Sequence, residues 1–256
     1  MKEITIPPHI KTIGENAFFG CTSLKKVEFK SAIEKIESGT FCGCSALDEI
    51  TIPPTVTSIG DFAFSGCSSL KKLSVPPSVK TIGSHAYEEC SSFIEIIIPE
   101  TIKEIGDYAF SKCSKLNKVT ILYKMTTIPK YIFSECESLT YIDIPSTVTS
   151  IDHGSFNRCI SLKQITIPNS VKKIGHCAFQ ECVSLNQISI PNSVISIGSQ
   201  AFANCTSLTH LSIPDSIKSV GKLALAGCTS LQSLTIPSHI PIDMLSLKKN
   251  VEITVI

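Results

Sequence analysis

Tryptophan is absent from the 256-residue chain, methionine occurs three times, and 23 basic against 22 acidic side chains leave a formal net charge of +1. So balanced a charge supplies no bulk field to draw in nucleic acid or an anionic membrane surface. No run approaches the ~20 continuous apolar residues that cross a bilayer as a helix, so no membrane span is expected. The opening Met1-Lys2-Glu3-Ile4-Thr5-Ile6-Pro7 lacks the apolar stretch of a secretory leader. A cytoplasmic chain, an unconventional export route or an excised fragment would each fit that start. A nucleophile elbow, a phosphate-cradling glycine loop and a metalloprotease helix are also missing. No catalytic residue, metal or cofactor is therefore expected.

Hydrophobic residues, mostly Leu and Ile, make up 43% of the chain, and there are twelve cysteines. Ten of these stand 23 residues apart without insertion or deletion, from Cys21 and Cys44 through to Cys205 and Cys228. Three residues before each comes an aromatic (Phe18, Phe41, Phe64, Tyr87 and onward to Phe202), with Leu225 in the last coil. Three residues after each comes an apolar residue such as Leu24, Leu47 or Phe93. A fixed period of this length predicts a solenoid of stacked coils.

Within one coil, the alternation Ile188-Ser189-Ile190 predicts a strand with two side chains inward and one outward. Pro191 ends it, because proline has no N–H for the ladder. Gly198 suits a tight turn, through lack of space or an unusual backbone angle. Ala201, Phe202 and Cys205 have the spacing of a short helical turn with one buried face. Stacked in register, eleven strands from Ile4–Ile6 onward would make one parallel sheet at ~4.8 Å per coil, with right-handed connections and a closing strand at Val251–Val255.

The pattern Leu-x-x-Ile-x-Ile-Pro-x-x-Val-x-x-Ile-Gly-x-x-Ala-Phe-x-x-Cys, running from Ile4 to about Pro237, resembles the BspA-like class of leucine-rich repeat. The resemblance implies an α/β-class leucine-rich-repeat horseshoe over residues 1–256, with a parallel sheet on its concave face and short strands and helical turns on its convex face. Its parts would be a partial repeat at 1–23, whole repeats from 24 to about 237, and a C-terminal cap at about 238–256. It further implies an adhesin-type surface protein that binds a host matrix or cell-surface protein.

The cysteine column is expected to be reduced and structural, since each coil needs a small apolar residue there. Cys42 and Cys177, outside the column, are the more reactive candidates. His153, His176 and Cys177 share adjacent coils but are expected to be solvated rather than to hold a metal. On the sheet's outward side, Lys26, Glu49, Lys72, Glu95 and Lys118 alternate in sign and are expected to pair across strands. Tyr141, Gln164, Gln187, His210 and Ser233 continue that column without charge. The repeat is broken near its middle, where Leu122-Tyr123 replaces Pro-x. Ile94, Ile97, Tyr123 and Tyr141 are candidate partner-binding residues, as aromatic and aliphatic anchors often are.

Lys26-Val27-Glu28-Phe29 is similar to the Lys/Arg-Val-x-Phe sequence by which regulators dock on protein phosphatase-1, adding a strand to the partner's sheet. That makes an intracellular scaffold or regulatory subunit the alternative expectation. Val27 and Phe29 nevertheless occupy inward positions, so docking would require local unfolding. The first strand leaves a sheet edge that a homodimer or an upstream segment would cover.

Overall fold

The computed structural model describes residues 1–72 and 74–256. They fall into two compact units, Met1–Tyr123 and Lys124–Ile256, each a stretch of parallel β-solenoid. In the first unit, Glu3–Ile6 pairs with Lys26–Phe29 one coil on (Glu3 opposite Lys26, Ile6 opposite Phe29), and Lys26–Phe29 pairs with Glu49–Ile50. Glu95–Ile98 pairs with Lys118–Ile121. In the second unit, Gln164–Thr166 pairs with Gln187–Ser189, and His210–Ser212 with Ser233–Ile236. The one continuous sheet expected from the sequence is not found among the described residues. This ladder is broken into sets of two or three strands, and Asp143 contributes only a single bridge, to Thr166.

A second ladder is the more continuous one. Two-residue strands at Lys35–Ile36, Ser58–Ile59, Thr81–Ile82 and Glu104–Ile105 form a four-stranded sheet in the first unit. Five more, from Thr127–Ile128 to Ser219–Val220, do so in the second. Each buries an Ile or Val and leaves its partner residue outward. Where a glycine follows the strand, as at Gly106 and Gly198, it is needed for space. A Cβ on Gly106 would lie 2.3 Å from the Ser84 backbone nitrogen, and one on Gly198 would lie 2.4 Å from that of His176. Neither glycine has a positive φ, so of the two reasons offered by the sequence only the steric one applies.

The convex segment expected to form helical turns is not helical. The Ala-Phe-x-x-Cys stretch is a chain of tight turns, and every second N–H is donated to the next coil. Asn16, Phe18 and Gly20 donate to the carbonyls of Ser38, Thr40 and Cys42 at 3.0, 2.9 and 2.7 Å. The intervening Phe19 and Cys21 donate three residues back, to Asn16 and Phe18. The alternation requires left-handed backbone at two positions per coil. One column includes Asn16, Gly39, Phe62, His85, Tyr108 and Gln200, and the other Gly20, Gly43, Glu89, Lys112 and Asn204. Left-handed conformations cost non-glycine residues ~1–2 kcal/mol each, and a helix cannot contain them in every coil. The bonds to the neighbouring coil offset that cost, which spacing within a single coil could not foretell. Among the described residues the one helical element is a 3-10 turn at Ile242–Leu245, which buries Leu245. It lies in a shortened last coil, where Ser233 stands opposite Glu252 and the strand Glu252–Val255 follows.

The core is filled by ladders of identical side chains. Rings stack face to face from Phe18 through Phe41, Phe64 and Tyr87 to Phe110, with centroids 5.3–5.5 Å apart. In the second unit Phe156, Phe179 and Phe202 continue the arrangement at 5.4–5.5 Å. Alongside, thiols of the cysteine column donate to the carbonyl of the preceding coil's aromatic residue, as Cys67 does to Phe41 at 3.2 Å and Cys182 to Phe156 at 3.1 Å. All twelve cysteines are free.

Candidate functional site

On the outward side of the first unit's strands, Thr5, Glu28 and Thr51 share a column with Ile97 and Thr120. Ile97 is 57% exposed and Ile94, three residues before it, 54%. Leu122, in the next coil, is likewise exposed, and its N–H donates to the Ile98 carbonyl. The expected charge pairing does not occur. Lys26 stands opposite Glu49 and Glu95 opposite Lys118, yet among the described residues the ion pair on this face is Lys30 with Glu28 at 2.5 Å. Tyr123 is half-buried and donates its hydroxyl to the Lys103 carbonyl. Burial pushes its phenol up, with Glu104 adding to the effect.

Tyr141 belongs to the second unit, so the four candidate partner-binding residues divide three and one. It is exposed, and its hydroxyl donates to the Asp143 carboxylate. That bond raises its pKa, slightly reinforced by desolvation. Tyr141 lines a shallow cleft of about 490 Å³ with Gln164, Thr166, Gln187 and Ser189. A neighbouring cleft of about 630 Å³ is lined by Asn186, Gln187, His210, Ser212 and Thr235 among others.

The docking-like segment Lys26-Val27-Glu28-Phe29 is a strand paired on both sides. Val27 is 4% exposed, and Phe29 lies edge-on to Phe41 with centroids 6.4 Å apart. Val27 is therefore committed to the core, and Phe29 is half-buried against it. A cleft of about 440 Å³ beside it is lined by Phe29, Ser31, Ile50, Pro53 and Pro54.

His153 and His176 stack at 4.9 Å. His153 Nδ1 lies 2.6 Å from Asp152, and His176 Nδ1 accepts the Ser199 N–H at 3.0 Å. Among the described residues no three His, Cys, Asp or Glu side chains converge as metal ligands would. Cys42 and Cys177, expected to be the reactive thiols, are half-buried, and desolvation raises both their pKa values, so neither carries the lowered pKa of an activated thiol.

One surface feature escaped the sequence reading. Phe62, His85 and Tyr108 form an outer aromatic stack at 4.4 and 4.6 Å, each in left-handed backbone. His85 also meets Glu88 at 2.7 Å, and Lys112 bridges Glu88 and Glu89 at 3.2 and 2.8 Å. The 23-residue spacing of Phe62, His85 and Tyr108 was the available signal.

The BspA-type leucine-rich repeat region model, with six copies, matches residues 1–117, 34–163, 80–186 and 126–250. The chain belongs to this family. Among solved structures, a leucine-rich cell surface protein from Faecalibacterium prausnitzii is 28% identical with a TM-score of 0.69, over 100% of this chain and 73% of that one. The pneumococcal vaccine antigen PcpA is also 28% identical, with a TM-score of 0.70, over 100% of this chain and 66% of that one. No protein of curated function matches the chain. The chain thus shares its repeat fold with a bacterial protein described as a cell surface protein and with a pneumococcal antigen.

Proposed function

We propose that this BspA-type repeat protein is a non-catalytic, adhesin-type binder displayed at a cell surface, where it engages a host matrix or cell-surface protein. The observation that carries this reading is the exposure of Ile97, in a strand column otherwise lined by Thr, Ser and Glu, together with Ile94 just before the strand and Leu122 in the next coil. Apolar side chains that fold burial does not require are what a partner's anchors cover, and a few such residues dominate binding. The unpaired lysines and glutamates around them make a polar rim. Tyr123, held by its bond to Lys103, and Tyr141 of the second unit are the aromatic members of the candidate set. Docking on protein phosphatase-1 through Lys26–Phe29 is the weaker reading, because the strand would have to leave both neighbours and draw Val27 from the core.

The test is retention of the protein on surfaces coated with individual matrix proteins. An Ile94→Ser/Ile97→Ser variant, checked for unchanged folding by circular dichroism, should bind at least ~10-fold more weakly. Equal retention of wild type and variant, or no retention of wild type on any matrix protein, would remove the reading.

A further inference from the structure

The outward face of the second unit is chemically unlike that of the first. Gln164 stands opposite Gln187 and Thr166 opposite Ser189. Farther along, His210 and Ser212 stand opposite Ser233 and Thr235. None of these side chains is aliphatic or acidic, and none is a lysine or arginine; the acids of the face are at its ends, Asp143 bridged to Thr166 and Glu252 opposite Ser233. Two clefts lie over this face and share Gln187 and Ile188, and Tyr141 lines one of them. Among the described residues the amides of Gln164 and Gln187 and the hydroxyls of Thr166, Ser189 and Ser212 bond to no other protein group. Hydroxyls of the turn that follows the strand are instead committed to the preceding coil, as in Thr55 to Ile33, Thr101 to Val79 and Thr147 to Met125.

What such a face recognises follows from what it lacks. Without lysines or arginines it cannot neutralise the phosphates of a nucleic acid or the sulfates of an acidic glycan. Without an apolar centre it does not match the core of a protein interface. The strand backbone beneath is largely paired, so recognition falls to side chains. Each amide and hydroxyl both donates and accepts, and a column repeats at ~4.8 Å along the stack. An uncharged polyol presents the complementary array.

We propose that this face binds a neutral oligosaccharide lying along the direction in which the coils stack. Gln164 and Gln187 hydrogen-bond to sugar hydroxyls, Thr166 and Ser189 hold adjacent hydroxyls directly or through water, and the Tyr141 ring packs against the C–H face of one sugar. Tyr141 is kept in place by its bond to Asp143. The proposal shares Tyr141 with the protein-binding reading, but that reading is carried by Ile94 and Ile97 in the first unit, so the two are tested by different variants.

The experiment is calorimetric titration of the full chain with cellohexaose, maltohexaose and a heparin-derived hexasaccharide. At least one neutral hexaose should bind at concentrations up to about 1 mM. A Gln164→Ala/Gln187→Ala variant, whose two changes lie at exposed positions, should bind it at least ~10-fold more weakly with an unchanged circular dichroism spectrum. The Ile94→Ser/Ile97→Ser variant should bind it as wild type does. Lack of binding by both neutral sugars, binding of the heparin fragment alone, or undiminished binding by the double-Gln variant would each overturn the proposal.

Discussion

Replacing Tyr87 by Phe should make the protein more stable, although it deletes a polar group from a fully buried residue. Tyr87 sits in the ring stack between Phe64 and Phe110, nearly parallel to both. Its hydroxyl is sealed from solvent and, among the described residues, has no hydrogen-bond partner. In the unfolded chain the same hydroxyl is bonded to water. Burying it unpartnered costs ~1–3 kcal/mol. Phe keeps the stack and loses only the dispersion contacts of one oxygen, about five pairs at ~0.1–0.2 kcal/mol each. The difference favours Tyr87→Phe by about 1 kcal/mol. With an m-value of ~2–3 kcal/mol/M, the urea midpoint should rise by roughly 0.3–0.5 M at unchanged slope. Phe110→Tyr, the converse change one coil along, should lower it. Burial also pushes the Tyr87 phenol well above the ordinary tyrosine range. The alkaline absorbance titration of the native protein should therefore be the same before and after Tyr87→Phe. A midpoint lowered by the substitution would show that the hydroxyl has a partner and would refute the argument.

Two glycines separate space from backbone angle. Gly106→Ala drives a Cβ into backbone at 2.3 Å and should cost ~1–3 kcal/mol. Gly66→Ala meets only an ordinary contact at 3.5 Å but at φ +73°, and should cost about 1 kcal/mol. Thermal melts of the two variants give the order. Nine of the twelve cysteines are buried, and desolvation raises Cys44 and Cys228 to about 11. A thiol reagent at pH 8 should therefore modify at most Cys21, Cys42 and Cys177 quickly in the native protein, and all twelve after unfolding. Burial opposes ionisation of Asp152, but bonds from the His153 backbone and ring outweigh it and hold the carboxyl below its ordinary value. Its contribution is complete above the unfolded pKa of ~3.9 and is lost as pH falls through the lower folded value. Asp152→Asn should flatten the acid limb of stability against pH.

The 23-residue spacing made the stack legible because each column must be filled alike: Phe, Cys and Leu recur where their neighbours above and below require them. The inward strand residues were readable for the same reason. Misread were the convex turns, since i, i+1, i+4 burial is shared by a helical turn and by turns that send alternate N–H groups to the next coil. Gly20, Gly43, Gly66, Asn204 and Gly227, recurring in one column, were the clue to left-handed backbone. The exposed Ile94, Ile97 and Tyr141 were visible as departures from the repeat. The commitment of Tyr123 to Lys103, the absence of pairing between Lys26 and Glu49, and the free amides of Gln164 and Gln187 depend on side-chain placement, which spacing does not encode. The thiol column also cannot report the compartment, because buried, hydrogen-bonded thiols remain reduced in an oxidising one as readily as in a reducing one.

Alternate donation of turn N–H groups has a consequence for how such a chain can change length. Among the described residues, successive coils within each unit are bonded through the two-residue strand ladder, the turn ladder and, where it is formed, the longer strand ladder, all stepping by whole coils. Gaining or losing one residue would misalign the three together and leave a row of N–H groups facing the wrong carbonyls. A whole coil can be removed or copied with every row still matched. Excising residues 174–196, a span that begins and ends at equivalent points of successive coils, joins Lys173 to Ile197 as it was joined to Ile174. Away from the shortened last coil, where Ser233 already stands opposite Glu252, growth and shrinkage of this chain are thereby quantised in whole coils.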